Sequence, residues 1–314
     1  MISRYIKKLF TPSLGKILTK TRKQGGKRFL VAWNRGLGDI PLGLYAFIDR
    51  VKQYVPEAEI TFITRPNLED AFRLLDGVGV IVVPTWERED GSPTVPVIRK
   101  TLERIDINYK LYDVILDRVD PTGELKDCWG KLTPRLKWGE EYDNLWRRFN
   151  LHSPSRICIG VHVDTETHQF YGNKKDWPIE NWEMLFEKFY NTNVRVILFG
   201  LKSTHLFDHP SIIDLRGKTS LLEMLSIIKN CCNILVAPDG GILSISYYLD
   251  VYFPITVISL WGDYNQGILK QAVPSPNTGL KHFPITGKGK DVTKISVDEV
   301  FSIYHSLQRQ ELLP

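Results

Sequence analysis

An apolar run that ends in a glycine turn and opens onto a helically spaced segment occurs twice in this chain, and no other feature constrains the fold as much. The first turn is Asn34-Arg35-Gly36-Leu37-Gly38-Asp39, after apolar residues 29–33; the second is Pro238-Asp239-Gly240-Gly241, after residues 234–237. Strand, tight turn and helix form the unit of an open parallel α/β sheet, whose ligands bind at the carboxyl ends of the strands. Helix N-termini at that edge attract phosphate through their N–H groups and dipole. The reading is an α/β chain of two Rossmann-like lobes, with mostly parallel sheets and a cleft between them. A carboxylate in one turn and a glycine pair in the other place the chemistry between the lobes.

Length agrees, because 314 residues exceed the usual reach of one hydrophobic core. The division expected is a basic amphipathic arm (1–27), two Rossmann-like domains (28–152 and 153–292) and a C-terminal helix (293–314). The linker is expected at His152-Ser153-Pro154-Ser155. Residues 251–262 are apolar but contain Pro254, and they fall well short of the ~20 residues of a membrane span. Cys128, Cys158, Cys231 and Cys232 form no C-x-x-C pair, so reduced thiols and a cytoplasmic location are expected.

The net charge of +5 is unevenly placed. Arg4, Lys7, Lys8, Lys16, Lys20, Arg22, Lys23, Lys27 and Arg28 crowd the first 28 residues, which hold no acid, so the body is mildly negative. Ile2, Tyr5, Ile6, Leu9 and Phe10 fall at helical spacing among these bases, a pattern suited to an anionic membrane surface. The alternative is a solvated tail or a helix packed on the first lobe. Charge confined to one terminus argues against nucleic acid as the partner.

Periodicity predicts strands at 28–33, 59–64, 78–83 and 112–116, and helices at 40–54 and 68–75. Residues 120–138 read as loop and 140–149 as helical. Alternation restarts with strands at 157–163, 194–199, 234–237 and 255–260 and helices at 180–190 and 221–229. Ser296-x-x-Glu299 is a capping box opening a last helix.

Gly36-Leu37-Gly38 is not a dinucleotide fingerprint: its third glycine would be Pro41, and Thr64-Arg65 stands where an acid would follow the second strand. Asp39 is either an N-terminal cap or a general base within reach of an acceptor hydroxyl. Lys174 and Lys175 precede a helix start at Pro178, either as solvated charges or as ammonium groups for a diphosphate. Asp239-Gly240-Gly241 offers amides to a leaving group, or is a turn that merely needs glycine. His162 and His168 share a loop without a third ligand, and no metal site is expected.

Four stretches together resemble the family 9 glycosyltransferases, the ADP-heptose:lipopolysaccharide heptosyltransferase group. They are Gly36-Leu37-Gly38-Asp39; Lys175-x-Trp177-Pro178 with Trp182; Gly217-Lys218-Thr219-Ser220-Leu221; and Asp239-x-Gly241, followed by Trp261-Gly262. The resemblance spans residues 28–265 and implies the GT-B arrangement. It implies an inverting transferase that needs no metal or cofactor and moves a sugar, such as heptose, from a nucleotide diphosphate to an envelope glycolipid. Asp39 would be the catalytic base on an acceptor-side loop containing Gly36 and Gly38. Lys175, Thr165, Asp239, Gly240, Gly241 and Ser244 would hold the donor. The chain departs from the family pattern on the donor side: Gly240 and Ser244 stand for threonine and histidine, Asp164 follows His162-Val163, and Leu201-Lys202-Ser203-Thr204-His205 replaces acidic residues. The implied location is peripheral, at the inner face of the cytoplasmic membrane. Two rival readings are a GT-B sugar-nucleotide epimerase and a catalytically silent relative that binds a nucleotide sugar or a partner protein.

Overall fold

The structure is a computed structural model, and it describes residues 13–88, 93–117, 119–151, 157–166, 175–190, 192, 194–203 and 205–309. Residues 2–10 of the basic arm, the 152–155 linker, His168, Lys174 and Thr204 lie outside the described residues. The chain divides into two compact units. The first comprises described residues through Arg35, with Gly43–Arg73 and Gly77–Leu125; the second comprises Gly36–Leu42, Leu74–Asp76 and described residues from Lys126 onward.

In the first unit, α1 (Leu14–Lys23) precedes β1 (Arg28–Ala32), α2 (Tyr45–Tyr54), β2 (Glu59–Thr64), α3 (Glu69–Arg73), β3 (Val78–Val82), α4 (Val95–Arg104), β4 (Val114–Leu116) and α5 (Pro121–Leu125). All four strands are parallel, in the order β3-β2-β1-β4. Leu30, Ala32, Ile63, Val83, Ile98 and Leu102 form a buried cluster on one face. Thr64 and Arg65, which replace the dinucleotide acid, are structural: the Thr64 hydroxyl donates to the Trp33 carbonyl (2.6 Å), and Arg65 Nη2 to the Arg35 carbonyl (2.9 Å).

The helix expected over 40–54 starts later. Leu37–Asp39 is a 3₁₀ turn and Ile40–Leu44 a single π-helical turn before α2 begins. Pro41 supplies no N–H, and Gly43 is a poor helix former. Gly43 is there for contact, since a Cβ on it would lie 2.2 Å from Pro121 Cβ and 2.5 Å from the Pro121 carbonyl oxygen. Gly43→Ala should therefore destabilise the fold by about 1–3 kcal/mol, the usual cost of overpacking, read as a lower denaturant midpoint. An unchanged midpoint would show that α2 and α5 part freely.

The second unit runs β5 (Ile157–His162), α6 (Ile179–Tyr190), β6 (Val194–Phe199), β7 (Ile212–Asp214), α7 (Leu221–Cys231), β8 (Ile234–Pro238), α8 (Gly241–Tyr247), β9 (Ile255–Trp261), α9 (Gly267–Gln271), β10 (Leu280–Thr286) and α10 (Val297–Arg309). Its sheet is parallel throughout, in the order β10-β9-β8-β5-β6-β7. Strands β8 and β9 are buried along their whole lengths, which is why they read as unbroken apolar runs. The Ser296 capping box forms, with the Ser296 N–H donating to Glu299 (2.7 Å) and the Glu299 N–H to Ser296 Oγ (3.2 Å).

Residues 140–149 are not one helix but two 3₁₀ turns, Glu140–Tyr142 and Leu145–Phe149. The Asp143 carbonyl between them accepts from the Asn230 and Ser226 side chains of α7 instead of continuing a helix. Strand β10 escapes the sequence pattern because Pro284 interrupts it, which an edge strand tolerates.

Candidate active site

In the second sheet the chain order reverses between β5 and β8, which are neighbours, so the carboxyl ends of those two strands frame the crevice expected to take a ligand. Asp239 and Gly240 follow β8 there, and Gly240 is the N-cap of α8. Thr165 follows β5, and its Cγ2 lies 3.3 Å from the position a Cβ on Gly240 would take. The Lys175 ammonium makes an ion pair with Asp239 Oδ2 at 2.6 Å. Lys175, Thr165, Asp239, Gly240 and Gly241 are therefore one cluster. Ser244 lies in the first turn of α8, buried, with its N–H on the Gly240 carbonyl (3.1 Å).

Local packing fixes the lysine. Trp177 is buried, donates from Nε1 to the Ile295 carbonyl (2.9 Å) and stacks edge-on with Trp182 (4.9 Å). Asp176 accepts from the Thr165 N–H at 2.9 Å. The residues that follow Lys175 in the Lys-x-Trp-Pro motif thus anchor it, with Pro178 preceding α6.

Residues 36–42 belong to this same unit and place the Gly-Leu-Gly-Asp turn on the Asp239 turn. A Cβ on Gly38 would lie 3.5 Å from the Gly241 backbone, and one on Gly241 would lie 2.6 Å from Leu37 Cβ and 2.7 Å from its Cγ. Gly36, Gly38, Gly240 and Gly241 all lack positive φ. Glycine at 241 serves close approach between the turns rather than turn conformation, whereas a Cβ at 38 would make only ordinary contact. Asp39 ends the 3₁₀ turn, whose N-cap is Gly36, and the N-cap of α2 is Leu44; Asp39 occupies neither position.

Several neighbours of the cluster were not visible in the sequence. Gly267, with φ +48°, leaves space in which a Cβ would sit 2.8 Å from Asp239 Oδ1 and 3.0 Å from the Trp261 ring. Trp261 Nε1 donates to Ser259 Oγ (2.6 Å), and that hydroxyl lies 2.6 Å from His282 Nε2. Burial pushes the His282 imidazolium down to about 4, so its ring is neutral near pH 7. These partners come from β9, α9 and β10, and only tertiary folding joins them.

His162, the last residue of β5, is also neutral: burial alone lowers it to about 4, and its Nδ1 has no hydrogen-bond partner among the described residues. An unfolded histidine binds its proton near pH 6.5, before the folded one does, so stability present above pH 6.5 is lost as pH falls toward 4. The expected loss is roughly 3 kcal/mol across that window. His162→Leu should flatten that part of the curve in denaturant titrations; a curve as steep as wild type would assign the loss elsewhere.

The model of the glycosyltransferase family 9 (heptosyltransferase) matches residues 150–278, which span β5 to α9 and hold Lys175 and the Asp239 turn. The second unit is therefore similar to the family 9 glycosyltransferases over residues 150–278. Comparison with curated proteins gave no significant match. Among solved structures, E. coli ADP-heptose lps heptosyltransferase II is similar at 16% identity and TM-score 0.60, with 91% of this chain and 100% of that one covered. A family 9 glycosyl transferase from Veillonella parvula is similar at 14% identity and TM-score 0.55, with 90% and 97% covered. E. coli heptosyltransferase WaaC with ADP gives 14% identity and TM-score 0.54, with 89% and 99% covered. These likenesses show the fold of the heptosyltransferases, and the family 9 match over residues 150–278 supports a glycosyltransferase. Among the described residues no group of three or more His, Cys, Asp or Glu side chains could hold a metal ion.

Proposed function

We propose that this chain is a family 9-like glycosyltransferase, an inverting, metal-independent enzyme that moves a sugar from a nucleotide diphosphate onto an envelope glycolipid at an anionic membrane surface. The observation that carries the reading is the contact of the Gly36–Asp39 turn with the turn whose Asp239 holds Lys175. In this reading Asp39 takes the proton of the acceptor hydroxyl while that oxygen attacks the anomeric carbon. The bond from that carbon to the diphosphate oxygen breaks, and the leaving group departs with the electron pair. Its growing negative charge falls on Lys175 and on the amides at the start of α8. Lys175 supplies the countercharge for which other transferases use a metal. Attack opposite the leaving group inverts the sugar carbon. The neighbours named for ADP and heptosyl transfer support a nucleotide sugar of that kind, heptose included, as the donor.

Thermal stabilisation by a panel of nucleoside diphosphates and nucleotide sugars tests the donor side, since a ligand at 100 times its dissociation constant adds about 2.7 kcal/mol. One nucleotide should raise the melting temperature clearly. Lys175→Met should weaken that nucleotide roughly 10- to 100-fold, the loss of one charge-assisted contact of about 1.5–3 kcal/mol. If no nucleotide stabilises the protein, the silent-relative reading replaces this one.

A further inference from the structure

Helix α1 packs on α2 through Leu18, which is fully buried, and its outer side carries Lys16, Lys20 and Lys23 at i, i+4 and i+7. With Gly15, Thr19 and Tyr54 these lysines line an open groove of about 580 Å³. The bases of the first unit are sorted by partner. Lys27 is paired with Glu57, Arg28 with Glu59 at 3.4 Å and Arg50 with Glu124 at 3.1 Å. Lys16, Lys20 and Lys23 have no ion pair among the described residues, and α1 has no acid in its first turn to offset them. An ordinary solvated surface intersperses opposite charges; here one face is purely cationic, while Lys27, Arg28 and Arg50 beyond it are paired with carboxylates.

We infer that this lysine face of α1 docks on a bilayer carrying anionic headgroups. Three ammonium groups on flexible stems, along a single ten-residue helix, fit an array of headgroup phosphates in a plane. Nucleic acid is the weaker fit, because next to the stripe Lys27 and Arg28 are paired with Glu57 and Glu59 rather than extending it. This deepens the membrane part of the proposed function and rests on it. The face would hold the enzyme where a lipid-borne acceptor resides, with no role in the transfer step.

Flotation of the full-length protein with phosphatidylcholine vesicles, with and without phosphatidylglycerol, tests the assignment. Wild type should float with the anionic vesicles only, and less at high salt. The triple variant Lys16→Glu/Lys20→Glu/Lys23→Glu should bind them about a hundredfold more weakly, since each basic residue near such a surface is worth roughly fivefold. Its melting temperature and its stabilisation by nucleotide should match wild type, because the three side chains are exposed; Lys→Gln at the same positions should give an intermediate loss. Undiminished vesicle binding by the triple variant overturns the lysine face and leaves membrane binding to other residues. Failure of wild type to float overturns both the face and the membrane part of the proposed function, while nucleotide stabilisation would still stand. Binding to an oligonucleotide without binding to vesicles, lost in the triple variant, assigns the face to nucleic acid instead.

Discussion

Asp39→Asn should reduce the rate constant for sugar transfer by a factor of about 10²–10⁴ while leaving stabilisation by the donor nucleotide nearly unchanged. That factor is what a positioned general base usually contributes. The change keeps the size of the side chain and removes its basicity, so it separates a base from a residue that only shapes the turn. Asp39 holds neither N-cap position around it but lies in the first turn of the 3₁₀ segment, so the variant decides between a carboxylate that only stabilises that turn and one that takes a proton. The readout is single-turnover transfer to an acceptor, beside a nucleotide titration by melting temperature. A transfer rate within a few-fold of wild type would remove Asp39 from the chemistry.

Gly241→Ala is expected to be nearly as damaging, for a steric reason. The new Cβ would sit 2.6 Å from Leu37 Cβ, 2.7 Å from Cγ and 2.8 Å from Cδ2. Contacts with Cβ and Cγ are not relieved by swinging the end of a flexible chain, so the Leu37–Asp39 turn or the start of α8 must move. A displacement of about 1 Å between reacting groups can cost 10²-fold in rate. Donor binding through Lys175 should survive better than turnover, because Lys175 is anchored independently by Trp177 and Asp176. Leu37→Ala in the same background should restore only part of the rate, because it removes Cγ and Cδ2 but leaves the contact with Cβ. Full activity of Gly241→Ala alone would show that the contact between the two turns does not matter for transfer.

Much of the fold was legible in the sequence because parallel strands buried on both faces write continuous apolar runs. Strands β2 and β6 lie at the residues expected, and β1, β3, β4, β5, β8 and β9 within one or two residues, whereas β7 and β10 were not expected. The elements that escaped are those whose pattern is set by partners distant in sequence. Strand β10 is an edge strand with a proline, α8 is a short buried helix with no polar face, and the 3₁₀ turns around Asp143 arise because α7 claims its carbonyl. Within the candidate site, Asp39, Lys175, Thr165 and the Asp239 turn carried local signals: glycine beside a carboxylate, a helix-start proline, a strand end. Gly267, Ser259, Trp261 and His282 carried none, since each acquires its meaning only when β8, β9 and β10 are side by side. The donor-side departures at Asp164, Gly240 and Ser244 now have surroundings. Gly240 accommodates Thr165, Ser244 is buried within α8, and Asp164 lies 4.0 Å from the buried Arg216 guanidinium, which Asp214 also holds at 2.7 Å.

The most direct test of the proposed activity is an assay of transfer itself. Purified protein would be mixed with the nucleotide sugar that most raises its melting temperature and with detergent-dispersed envelope glycolipid, with chelator present throughout. Released nucleoside diphosphate and the mass and anomeric configuration of the lipid product would be followed. The account predicts stoichiometric release of diphosphate, addition of one sugar with inverted configuration, insensitivity to chelator and loss of product with Asp39→Asn. Tight nucleotide binding with no sugar added to any acceptor, or a product of retained configuration, would contradict it.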